Sequence, residues 1–451
     1  MRPQLALSVL LVALVGAGLW AWSYGLHGPY HFDDRVTPLN DPASQSVAAW
    51  RHNLGHTLRP ITKLTYAVEA DALPTETPFW RRVISLLLLS LTAGMLLLLI
   101  RQLLPGSPAV VAVLPAAIWF LHPIHTDAVL MASGRPVVLS NLFIIGAMLA
   151  VARSRLWVAT LSYALACLSR ETAVAAILPL AVLAAARQQG RWSRGVRDAM
   201  PLFATSVVIL AWMLATPRYL QLADYSLFGR PFAESVIAQV GAVPVGLGLL
   251  FQTSALSIDY GYPLPQRASD PIFLSGLLLY LGAMAGVILL VRRSPAAAIG
   301  VSLWLAALLP TQSVIAKLDA LTNKPLSLAL AGLLIAVAPL AARASIAASR
   351  RTRDLWPQSL AACGALVLVV ALGRATSVRG TLFQSELQLW QDAAAKSRVN
   401  ERPHVQYALL LQRDGRRGDA LVALAAAARI NPFSSHIDAI ASVIRRQEVT
   451  Q

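Results

Sequence analysis

Between residues 4 and 375 the chain runs repeatedly through long apolar stretches, with most of its charge held in the gaps between them. A bilayer-spanning helix needs about 20 mostly apolar residues, so this pattern leaves few folds open. Only 13% of the 451 residues are charged, against roughly 25% in a soluble domain. The chain reads as all-α, a polytopic transmembrane helical bundle.

Apolar length predicts about eleven crossings, near residues 4–24, 83–103, 108–122, 137–152, 155–169, 171–187, 199–217, 271–291, 295–311, 325–343 and 357–375. The first run has no small-residue cleavage site before the acidic loop that follows it, so it reads as a retained helix. Placing the N-terminus in the cytoplasm puts the clusters Arg153–Arg155, Arg187–Arg197, Arg292-Arg293 and Arg350–Arg353 inside, as the positive-inside bias requires. This holds only if a further apolar run, Val236–Ser254, does not cross. Gly241, Pro244, Gly246 and Gly248 would weaken a straight helix there, so a re-entrant or interfacial segment is expected, lining a cavity. The outer face then collects loops 25–82, 122–136, 218–270 and 312–324, together with the tail. The expected location is a bacterial inner (plasma) membrane, with the active site and C-terminus periplasmic.

The net charge of +16 follows this loop bias, and no aromatic-studded basic patch accompanies it, so no nucleic-acid partner is implied. Cys167 and Cys363 lie far apart in apolar runs and read as small core residues. In the first outer loop, Val47, Trp50, Leu54 and Leu58 recur at helical spacing. That fits a short helix lying on the membrane or packed on other loops.

The chain divides at about residue 376. Residues 1–376 form the transmembrane domain, and 377–451 a small soluble helical tail. Residues 401–434 have tetratricopeptide spacing, with small or apolar side chains at Tyr407, Ala408, Leu411, Ala420, Leu424 and Ala427, a turn at Gly415-Arg416 and Pro432 as terminator. Glu386, Trp390 and Ala393 fit an earlier half repeat. So short an array should dock on the membrane domain or a partner.

The candidate chemistry starts at His31-Phe32-Asp33-Asp34-Arg35, where the chain leaves the first apolar run. A carboxylate at a membrane–water boundary can act as a general base, and adjacent like charges raise one pKa. The same dyad also fits an ordinary turn beside Arg35. His122-Pro123-Ile124-His125-Thr126-Asp127 places another carboxylate on the same side, with His122 and His125 as active-site wall. Pro123 makes this a turn rather than the helix of a metalloprotease motif, so a divalent metal is not expected. Arg59, Arg135, Arg170, Lys317 and Lys324 are outer-side cations that break the charge bias, and an anionic ligand such as a lipid phosphate would explain them. Glu171 adjoins Arg170, and Asp259 and Tyr260 lie in a loop that fits equally an aromatic belt at the membrane surface and a cap on a cavity or a stacking face for a sugar.

These motifs resemble the transmembrane, tetratricopeptide-containing protein O-mannosyltransferases and, more widely, the GT-C glycosyltransferases. His31–Asp34 is similar to the acidic pair after the family's first helix. Arg59-Pro60-Ile61-Thr62-Lys63-Leu64-Thr65 is similar to its RPL-type segment, and residues 122–143 to its HPIHTE…GR…L stretch. Ser169–Thr172 and Leu256–Pro263 resemble two further steps, with Asp127 in place of the usual Glu. Asn323–Leu328 departs from the family's Glu-Arg-aromatic pattern. The resemblance implies a GT-C fold and an inverting transfer from a polyprenyl-phosphate-linked sugar to Ser or Thr of an exported protein, such as a pilin or surface protein. It further implies Asp33 as base, Asp34 and Asp127 beside it, and donor-phosphate contacts from among Arg59, Arg135, Arg170 and Lys324. A same-fold transferase acting on a lipid or envelope glycan is the nearest alternative. A non-catalytic transporter or a scaffold is the more distant one.

Overall fold

The computed structural model describes residues 16–188, 192–311, 319–351 and 356–449. Most of the first apolar run, Lys317 and the end of the Arg350–Arg353 cluster lie outside them. The described residues contain helices and turns and no strand.

Among the described residues, seven helices are long and apolar enough to cross a membrane: Phe79–Leu103, Ala132–Ala152, Ser193–Ala215, Phe232–Leu249, Pro271–Arg293, Asn323–Ala347 and Cys363–Leu382. An eighth span arises if Val110–Leu121 and Pro123–Leu130, bent by 47° at the break, count as one. Their outward faces expose large apolar side chains, among them Leu87, Leu91, Phe203, Val207, Leu278 and Leu366. Only a hydrocarbon surround favours that much exposed apolar surface. This is the build of an integral membrane protein.

Several expected crossings are shorter than their apolar runs suggested. Leu156–Ser169 and Pro295–Leu308 have 14 residues each, or about 21 Å at 1.5 Å per residue, against a hydrocarbon core of about 30 Å. Ile177–Arg187 is shorter still, because the chain before it is a 3-10 turn, Glu171–Ala176. The run at 236–254 also differs from expectation, forming one continuous helix, Phe232–Leu249, with Pro244 inside it. Its glycines serve close packing instead of breaking the helix. A Cβ at Gly241 would overlap Pro265, and one at Gly246 would press on Leu326. The same device joins Pro295–Leu308 to Asn323–Arg351, the most extensive helix pair. There Gly300 and Gly332 bring the two backbones into contact, so a Cβ at either would meet main-chain atoms of the other helix.

Trp50 belongs to a seven-residue helix, Val47–Asn53. This helix packs on the adjoining Pro60–Ala72 helix, and the indole N–H donates to the Pro60 carbonyl at 2.8 Å. Cys167 is buried, whereas Cys363 faces outward from its helix. The tail consists of four helices, Glu386–Lys396, Arg402–Arg413, Arg417–Ile430 and Ser435–Val449. They have a small core of their own, made by Val405, Ala408, Leu411, Leu424, Ala427 and Ile437. The tail docks on the membrane domain. Arg402 pairs with Asp259 at 2.5 Å, Lys396 donates to the Leu256 carbonyl at 2.9 Å, and the Arg398 amide donates to the Gly261 carbonyl.

Candidate active site

The turn at 31–34 closes on itself. The Asp34 amide donates to the His31 carbonyl at 2.7 Å, and the His31 amide donates back to Asp34 Oδ2 at 3.1 Å. Asp34 Oδ1 accepts the Ser133 amide at 2.8 Å, which ties the turn to the Ala132–Gly134 segment. Asp34 is 0% exposed. Burial pushes its carboxyl above the usual range, while these backbone donors oppose the rise. Asp33 sits between these fixed residues. It is exposed, and among the described residues no hydrogen bond or ion pair engages it.

The two acids therefore do different work. Asn at position 34 offers one acceptor oxygen where two are used, and its NH2 would face a backbone N–H. Asp34→Asn is expected to cost about 1–3 kcal/mol of stability, read as a lowered melting temperature in detergent. An unchanged melting temperature would show that these bonds do not hold the turn.

Lys324 is the second residue of the long helix Asn323–Arg351. The residue is exposed, with Asp33, Asp127, Arg170 and Arg59 within electrostatic reach of its ammonium. Arg170 lines the same narrow crevice, with Asn141 and Thr172. Among the described residues neither Lys324 nor Arg170 has an acidic partner within ion-pair distance. Lys324 lies at the N-terminal end of a helix, where backbone N–H groups favour an anion, and Arg170 sits at the junction between the end of Leu156–Ser169 and the 3-10 turn Glu171–Ala176.

The other expected cations are engaged. Arg59 grips Glu171 with two bonds, Nε to Oε2 at 2.8 Å and Nη2 to Oε1 at 2.6 Å. Arg135 lies apart from the expected phosphate contact. It is 0% exposed, its guanidinium paired with Glu69 and donating to the Arg81 carbonyl at 2.6 Å, over the ring of Tyr66.

The two histidines are also committed to the fold. His122 Nδ1 accepts the Ile124 amide, which leaves Nε2 to donate to the Leu250 carbonyl at 2.9 Å. His125 packs against Trp119 and bonds Ser327 through Nδ1 at 2.9 Å. Among the described residues no three His, Cys, Asp or Glu side chains converge on a point that would hold a metal.

Asn323 joins Asp127 to Tyr260. Its amide nitrogen donates to Asp127 Oδ2 at 2.6 Å and to the Ser257 carbonyl at 2.8 Å, and its oxygen accepts the Tyr260 hydroxyl at 2.5 Å. This uses the amide in its only consistent orientation. Arg379 meets Asp127 from the other side at 3.1 Å and also holds the Thr126 hydroxyl and the Leu256 carbonyl. Asp259 turns away from this centre to bind Arg402 and Asn400 of the tail. Burial raises the Asp259 carboxyl and the Arg402 guanidinium opposes that rise. A cleft of about 740 Å³ opens between tail and outer loop, walled by Tyr260, Tyr262, Arg267, Asn400 and Arg402.

Compared with known proteins, the chain matches no family model, no curated protein and no solved structure. The site must be argued from its own geometry. That geometry groups Asp33, Lys324, Arg170 and Asp127, places the Arg59–Glu171 pair beside them, and sets Arg135 and both histidines into the framework. Arg379 was missing from the sequence expectation. A cation ending a mostly apolar helix is the signal that points to it.

Proposed function

We propose that the protein is a GT-C-type membrane glycosyltransferase that moves a sugar from a polyprenyl-phosphate donor to Ser or Thr hydroxyls of an exported protein. The observation that carries this reading is the pairing of charges without partners. An exposed carboxylate, Asp33, lies within electrostatic reach of Lys324, which shares a crevice with Arg170, and among the described residues neither cation has an acid within ion-pair distance. Burying or confining charge without a partner is costly, and a ligand supplying a phosphate and a hydroxyl would satisfy all three.

In the proposed reaction, Asp33 takes the proton of the acceptor hydroxyl as its oxygen bonds the anomeric carbon. The bond from that carbon to the phosphate oxygen breaks, and its electron pair leaves with polyprenyl phosphate. Lys324 and Arg170 stabilise the charge that grows on the phosphate. Asp33 later releases its proton to water. A single displacement with one carboxylate inverts the anomeric centre. Asn323, Arg379 and Asp127 fix the start of the Lys324 helix, and the Arg59–Glu171 pair walls the site. The polar cleft against the tail suits a polypeptide acceptor, which favours a protein over an envelope lipid. In this reading the Phe232–Leu249 helix enters the membrane without completing a crossing, so that the site and tail face the periplasm of a bacterial inner membrane, and the tail is tetratricopeptide-like.

The test is mass spectrometry of exported proteins from cells with and without the chain. Sugars on Ser or Thr should disappear in its absence. An unchanged protein glycan profile with altered envelope lipids would transfer the assignment to a lipid acceptor.

A further inference from the structure

The turn that carries Asp33 is held from two sides, and one of them is the tail. Phe32, the residue before Asp33, has φ +29. That is a left-handed conformation that a bulky residue rarely adopts, so the surroundings must impose it. Asp34 secures one flank through Ser133. The other flank is secured by the first helix of the tail, Glu386–Lys396. Glu386 Oε1 accepts the Phe32 amide at 3.3 Å, and Oε2 accepts Arg35 Nη2 at 2.6 Å. The Phe32 ring stands edge-on to Trp390, with centroids 5.3 Å apart, and Trp390 is 2% exposed. His31 Nε2 lies 2.9 Å from the Phe383 carbonyl just upstream. Burial lowers the His31 imidazole to about 4, so the ring is neutral at pH 7 and donates through Nε2.

A Glu opening a helix is ordinary, since it favours the positive end of the dipole. What is not ordinary is that both oxygens of Glu386 are spent on the residues either side of the Asp33-Asp34 pair. We propose that Glu386, backed by Trp390, is a positioning residue for Asp33, so that the docked tail completes the catalytic turn. This rests on Asp33 being the base. If the tail lifts away, Phe32 loses its amide acceptor and its ring partner, its backbone relaxes, and Asp33 swings off the acceptor hydroxyl. A base works within about 2.6–3.2 Å of its proton, so a small swing is enough to stop transfer.

The experiment uses the full chain in cells and purified in detergent. It reads the initial rate of Ser/Thr glycan appearance on exported proteins, amide hydrogen exchange over residues 29–36, and the melting temperature. Glu386→Ala is expected to slow transfer roughly tenfold and to speed exchange at the Phe32 amide, with an unchanged melting temperature. Glu386→Gln retains an oxygen for Phe32 but loses the Arg35 pair, so it should fall in between. Arg35→Met removes the exposed partner of Glu386, should give a smaller loss of the same kind, and carries the test if Glu386→Ala does not accumulate. Rates that follow local exchange and not the melting temperature mark a positioning role. Wild-type rates in these variants, with Asp33→Asn inactive, overturn the clamp alone. Wild-type glycan levels in Asp33→Asn overturn the base assignment, and the clamp with it.

Discussion

Asp33→Asn should reduce glycan transfer by about 10²- to 10⁴-fold, the usual range for a positioned general base, and leave the protein as stable as wild type. The stability half follows from the site itself. Asp33 is exposed and holds nothing together among the described residues, and surface changes of this kind stay within about 0.5 kcal/mol. The activity half follows because a carboxamide of the same shape cannot take the acceptor proton. Asp33→Glu places the carboxylate one methylene further out and should retain partial activity. Asp34→Asn has the opposite profile, with loss of stability first. The measurement is Ser/Thr glycan occupancy in exported proteins alongside melting temperature, for all three variants. Normal occupancy in a well-expressed Asp33→Asn variant would falsify the base assignment.

That contrast between neighbours also shows what the chain discloses before it folds. Membrane character was legible because length and apolar content are local properties, and Phe79–Leu103 and Pro271–Arg293 lie where their runs predict. Crossing number was less legible. Apolar composition does not show where a helix yields to a 3-10 turn, as at Glu171–Ala176, nor that glycines at 241 and 246 meet Pro265 and Leu326. The acidic pair was legible as a pair and not as two roles. Asp34 is assigned by a backbone N–H at Ser133, 99 residues away in sequence. Arg135 looked like a phosphate ligand until Glu69, 66 residues earlier, took it up. Lys324 was visible as a cation on the expected side, but its lack of an acidic partner is a property of the folded surroundings. Glu386 fitted a helical repeat equally well whether or not its carboxylate turned back toward Phe32.

The second large effect is expected on the phosphate side of the site. Lys324→Met largely keeps the reach of the side chain and removes its charge, and Arg170→Gln removes the other charge with a shorter polar side chain. Each should slow transfer by about 10²-fold, the scale of one electrostatic donor to a developing oxyanion. Neither should lower the melting temperature much, because no acid among the described residues is left unpaired by its removal. The double variant should lose less than the product of the two, since both act on one phosphate and coupled sites are not additive. Lys324→Arg should recover part of the rate, because charge is kept while geometry changes. Arg135→Met separates this from a general sensitivity to lost arginines. It leaves the buried Glu69 with only the longer contact to Arg81 at 3.9 Å and should cost on the order of 3 kcal/mol, so its damage appears first as unfolding. Initial rates of glycan appearance and melting temperatures distinguish the two patterns. If Lys324→Met and Arg170→Gln both transfer at wild-type rate, the phosphate is held elsewhere. The unpaired charge at the start of the Asn323–Arg351 helix then needs a different ligand.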